Sequence, residues 1–113
     1  MTIFRFATAL LILGLFTLGS IPAVGVAFTG KMHWMIHLSS FALIALTFGL
    51  GWQNMRAMHI ALIVTTIGVI HELTEIVTHS HGFELRDAIV DGFGALIGVS
   101  ILTVLQKSRQ EEL

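Results

Sequence analysis

The chain has 113 residues, 55% of them hydrophobic and 12% charged, with a net charge of −1 and no cysteine. An ordinary soluble domain carries about 25% charged residues, and one this small exposes a large share of its surface. A mean hydropathy of +0.88 points to lipid as the solvent. The charge balance offers no basic field for nucleic acid. The lack of cysteine excludes disulfides, thiolate metal ligation and a cysteine nucleophile.

Charges divide the chain into four apolar blocks. Arg5 and Lys31 bracket 25 uncharged residues, and Lys31 and Arg56 bracket 24. A helix needs about 20 residues to cross a hydrocarbon core of about 30 Å. The first two helices are therefore expected at about 4–28 and 32–52. Pro22, which lacks a backbone donor, or Gly25 would kink or end the first. Arg5, the apolar run and the small residues Ala23 and Ala27 share features with a signal peptide, but the run exceeds a usual h-region, so a retained helix is expected.

The second half has only 15 uncharged residues from Ala57 to His71 and 15 from Gly92 to Gln106. Either run alone would span about 22 Å. To cross, the third helix must extend over about 58–79 and the fourth over about 85–106, carrying Glu72, Glu75, Asp87 and Asp91 into the membrane or its boundary. The expected fold is all-α, a single antiparallel bundle of four transmembrane helices over residues 1–113. Short loops should make sequential helices antiparallel neighbours. Arg5, Arg56, Lys107 and Arg109 fall on one side and Lys31 and Arg86 on the other, which favours both termini in the cytoplasm.

That topology gathers the polar residues. Five of seven acids and five of six histidines fall in the half holding Lys31, His33, His37, His71, Glu72, Glu75, His79, His81, Glu84, Arg86, Asp87 and Asp91. At about 100° per residue, Glu72, Glu75 and His79 share one narrow face. Asp87, Asp91, Gly94 and Gly98 share another, and His33, His37, Ser40 and Thr47 a third. The Gly94-x-x-x-Gly98 spacing would let the fourth helix approach a neighbour closely. An aspartate at the centre of a membrane helix costs roughly 2.5–3.5 kcal/mol on insertion scales. Four carboxylates must accordingly be paired, protonated, metal-bound or hydrated, or else sit at helix ends in the headgroup layer, a role that suits Asp87.

The stretch Glu72-Leu-Thr-Glu75, a polar turn, then Asp87-Ala-Ile-Val-Asp91-Gly-Phe-Gly94-Ala-Leu-Ile-Gly98 resembles the VanZ-like family of small membrane proteins. That family shows Glu-x-x-Gln, an arginine in or after the turn, and Asp-x-x-x-Asn-x-x-Gly-x-x-x-Gly. A lysine and a histidine open its preceding helix, places that Lys31 and His37 would fill, with Phe41 as the aromatic four residues on. Glu75 and Asp91 stand where the family has amides, and His81 or Arg86 matches its arginine only approximately. The resemblance covers roughly residues 31–98 and implies a fold and a site in a bacterial cytoplasmic membrane.

Three functions fit these residues. The first is an envelope enzyme or binding protein for a lipid or lipid-linked substrate. Glu72 and Asp87 would be its acid and base and His37 its proton relay, with Lys31, Glu75, Arg86 and Asp91 holding substrate. The second is a metal or pigment site. His33 and His37, one turn apart, with Glu75 and His79, also one turn apart, could ligate Zn, Fe or Mn. Haem or chlorophyll could bind through His33 or His37, and a site without any cofactor suits the sequence equally. The third is a non-catalytic accessory subunit of a larger respiratory or photosynthetic complex, in contact with lipid and partner through its apolar faces.

Overall fold

A computed structural model describes residues 2–21, 23–24, 30–78 and 82–112. Four helices account for nearly all of them: α1 (Thr2–Gly19), α2 (Lys31–Gly51), α3 (Ala57–Thr78) and α4 (Leu85–Glu112). All four are long and apolar enough to cross a membrane, and they form a bundle 52 Å long and 24 × 22 Å across. The chain is an all-α membrane protein. Its exterior is a coat of exposed Leu10, Leu13, Met58, Leu62, Val77, Phe93 and Val104, which suits acyl chains and not water.

The middle helices begin and end within a residue of the expected positions. Two boundaries differ. The first helix ends at Gly19 and not near residue 28, and Ser20 closes it with its hydroxyl donating to the Phe16 carbonyl at 2.7 Å. Ile21 precedes a proline, and a proline ring disfavours helical geometry in the residue before it. Pro22 and Gly25 lie outside the described residues. At the other terminus α4 continues to Glu112 instead of stopping near 106, because 106–112 contains no glycine or proline and Arg109 sits in its last turn. Gly30, at φ +65°, turns the chain into α2, a conformation that glycine adopts without steric cost.

The packing order also departs from a simple succession of neighbours. The largest interface joins α2 to α4, while α1 lies on α2 and α3 on α4; the consecutive pair α2 and α3 meet over less. Helices α2 and α4 run parallel and in register, so that His33 meets Asp87 and, one turn on, His37 meets Asp91. Glycines explain the closeness. A Cβ at Gly94 would fall 2.6 Å from the Leu38 carbonyl oxygen, and one at Gly98 would fall 2.8 Å from the Ala45 Cβ and collide with the Ala42 carbonyl. Beyond the glycines the core consists of Phe41, Ile44 and Ala45 from α2, Ile60 and Val64 from α3, and Ala95, Val99 and Leu102 from α4.

Helix α1 buries Thr8 alone among its residues, and this threonine docks it on α2. The Thr8 and Thr47 hydroxyls lie 3.0 Å apart, and each also reaches a carbonyl one turn back in its own helix. Interhelical hydrogen bonds in membranes average about 0.6 kcal/mol. Thr8→Val is therefore expected to lower stability by about that amount in a detergent unfolding titration. A loss above about 2 kcal/mol would show that Thr8 carries more than this contact. At the same end Arg5 Nε donates to the Gly51 carbonyl at 2.7 Å, and its guanidinium carbon lies 5.1 Å from the centre of the Trp52 ring. An arginine and a tryptophan together suit a membrane–water boundary.

Candidate functional site

The polar cluster lies where α2 and α4 begin and α3 ends. Each helix supplies residues at helical spacing, which turns their side chains into the bundle. Asp87 Oδ2 accepts a hydrogen bond from His33 Nε2 at 3.0 Å, and Asp91 Oδ1 accepts one from His37 Nδ1 at 2.8 Å. The two histidine rings are 4.5 Å apart between centroids. Two His–Asp pairs thus stand one above the other across the α2–α4 seam. The upper pair is the entrance: the His33 side chain is 33% exposed, whereas that of Asp91 in the lower pair is fully enclosed.

Helix α3 closes the third side. Gly68 lets Asp91 approach, since a Cβ there would lie 2.8 Å from the Asp91 Cβ. One turn further on, His71, Glu72 and Glu75 are all buried. His71 Nε2 stands 3.8 Å from Glu75 Oε1, and the His71 ring meets His37 edge-on at 5.7 Å between centroids. Phe16 of α1 covers His71 from the other side at 5.3 Å, and Gly19 packs directly against its Nε2.

Several of these groups lack partners. Both ring nitrogens of His71, both carboxyl oxygens of Glu72 and Oδ2 of Asp91 are buried without a hydrogen-bond partner among the described residues. A buried polar group left unsatisfied costs about 1–3 kcal/mol, and more if charged. Five such atoms in one small volume mark the place where the fold gives up stability, a pattern common at functional sites.

The residues singled out in the sequence fall into three groups. Glu72, Asp87, His37, Glu75 and Asp91 come together in the buried cluster. Lys31 and Arg86 occupy the first turns of α2 and α4 and are exposed beside the rim. The expected ligand set of His33, His37, Glu75 and His79 lies only in part within the described residues. His33 and His37 face aspartates of α4, Glu75 stands beside His71, and His79 and His81 lie outside the described residues. Asp87 does sit in the first turn of α4, but its side chain is only 7% exposed and bonds to His33.

His71 was the residue that helical phase underplayed. It lies 100° from Glu72 around α3, outside the narrow face of Glu72, Glu75 and His79, yet it stands four residues before Glu75, the spacing that brings side chains together on a helix. No protein-family model, curated protein or solved structure matches the chain.

Proposed function

We propose that the chain is a VanZ-like integral membrane protein that binds the polar group of a lipid or lipid-linked envelope substrate at this cluster and performs acid–base chemistry on it. The stacked pair of His–Asp contacts carries the reading. A rim pair, His33–Asp87 at 3.0 Å, stands over an enclosed pair, His37–Asp91 at 2.8 Å, with the two imidazoles 4.5 Å apart between centroids, so the rim offers a histidine and a carboxylate for proton transfer and the lower pair supports them. Asp87 and His33 are the groups that meet substrate. Lys31 and Arg86, exposed beside them, supply positive charge for a phosphate-bearing headgroup. His37, Asp91, Glu75 and Glu72 form the buried floor that holds the rim pair in position. With Arg5, Arg56, Lys107 and Arg109 toward the opposite end, the positive-inside rule favours both termini in the cytoplasm and the site on the outer side, and the VanZ-like resemblance supports a bacterial cytoplasmic membrane.

The test is the lipid that travels with the protein. Full-length protein extracted in polymer nanodiscs should carry a phosphate-bearing lipid or lipid-linked intermediate enriched about tenfold over the bulk membrane, equivalent to about 1.4 kcal/mol. Arg86→Ala and Asp87→Asn should each remove most of that enrichment by mass spectrometry. A lipid profile equal to the bulk membrane, or an enrichment that both variants keep, would overturn the proposal.

A further inference from the structure

We infer that His37, His71, Glu72 and Asp91 form a binding site for one divalent first-row transition-metal ion, with zinc the best match to the donor set. The site is the enclosed floor of the cluster, below the rim and separate from any lipid bound there. Each of the four residues offers one ligand atom, and these atoms all lie within 4.8 Å of one another. They come from three helices, with two residues on α3. Four ligands held about 2.1 Å from a tetrahedral zinc ion lie about 3.4 Å from each other, a contraction that side-chain rotation supplies.

Two further observations point to a cation and not simply to crowding. The first is Glu72. Its side chain is fully buried, neither oxygen has a hydrogen-bond partner among the described residues, and it offers a ligand atom within 4.8 Å of those of two imidazoles and the Asp91 carboxylate, with the Glu75 and Asp87 carboxyls also close by. Glu72, His71 and Asp91 together account for all five unsatisfied buried side-chain atoms among the described residues, and each of the three offers a ligand atom to this set. The second is charge. A dication offsets the charge of the two carboxylates in the set and so lowers the cost of holding them, beside Glu75 and Asp87, inside a bilayer.

The surroundings suit such an ion. His37 Nδ1 donates to Asp91 Oδ1 at 2.8 Å. Their spacing is close to the separation of two ligands on one ion, so metal entry displaces that proton and binding releases acid. Glu75, 3.8 Å from His71 Nε2, is placed to orient the His71 ring, the usual task of a carboxylate behind a histidine ligand. His33 and Asp87 lie next to His37 on the exposed side and, with it, form a second potential three-ligand group that an entering ion would meet first.

The experiment uses the full-length protein, purified in mild detergent, stripped with chelator and titrated with zinc against a chromophoric competitor. One zinc per chain is expected, with release of protons into unbuffered solution. X-ray absorption of the wild-type complex should show only nitrogen and oxygen ligands with scattering from two imidazoles. His71→Ala and Glu72→Gln should each weaken binding by at least about a hundredfold, the upper end of what changes behind a metal ligand cost. His59→Ala should leave it unchanged, because His59 is exposed and remote from the set. Should a variant fail to fold, the wild-type absorption spectrum decides alone. Substoichiometric zinc, a spectrum without two imidazoles, or equal losses in His59→Ala and His71→Ala would overturn the site. Failure here leaves the lipid enrichment at the rim untouched, so the two proposals fall separately.

Discussion

Replacing Gly98 with leucine is expected to dismantle the α2–α4 pair and leave no folded protein. A Cβ at this position collides with the Ala42 carbonyl oxygen and stands 2.8 Å from the Ala45 Cβ, and neither can swing away as a long side chain can. The same holds at Gly94 against Leu38 and Phe41, at 2.6 and 3.0 Å. Overpacking a well-fitted core typically costs about 1–3 kcal/mol for added methylenes, so Gly98→Ala should lose about that much and leucine more than the bundle can absorb. Because α2 and α4 hold the two His–Asp pairs in register, the site is lost together with the packing. Gly14 provides the control. Nothing lies within 4 Å of a Cβ built there, so Gly14→Leu should unfold at the wild-type temperature. Circular dichroism melts in detergent separate these outcomes, and wild-type stability in Gly98→Leu would refute the parallel, in-register packing.

Loss of Asp91 is the second large effect. Its Oδ1 accepts the His37 Nδ1 hydrogen bond in a fully enclosed setting, and its Cβ fills the notch opposite Gly68. Removing one partner of a buried pair costs about 3–5 kcal/mol when the other stays charged. His37 can remain neutral, so Asp91→Ala is expected near the lower end, about 3 kcal/mol. Asp91→Asn keeps an acceptor and nearly the same volume, and should cost less than half of that. The double variant His37→Ala/Asp91→Ala should be less damaging than the sum of its parts, by on the order of 1–3 kcal/mol, as contacting residues are. Additive losses would mean that the two residues act apart.

The four spans were legible because lipid imposes a strong rule: about 20 apolar residues per crossing, with charges at the ends. The stripe of Asp87, Asp91, Gly94 and Gly98 was legible for a related reason, since a 3.6-residue period fixes which residues share a face. The structure buries all four on α4. Phase on a single helix does not state which helix lies opposite. The parallel partnership of α2 with α4, and hence the pairing of His33 with Asp87, depends on close approach at two glycines and on how the loops permit it. Loop length favoured sequential neighbours, but small residues carried more weight. His71 was obscured because its place in the cluster depends on Phe16 and Gly19 of α1, which pack against it from far away in sequence. Helix α1 itself stopped early for a local reason, the Gly19–Ser20 step ahead of Pro22.

Helices α2, α3 and α4 bring their histidines and carboxylates into one enclosed cluster. The chain has no cysteine, so introduced pairs report cleanly. His37→Cys/His71→Cys should be bridged within one chain by a short membrane-permeant bis-thiosulfonate, because the two rings lie 5.7 Å apart between centroids. His37→Cys/Leu73→Cys should not, because Leu73 is 51% exposed on the lipid side of α3. Efficient bridging of the first pair alone is the predicted result. No bridging, or equal bridging of both pairs, would contradict the cluster and everything built on it.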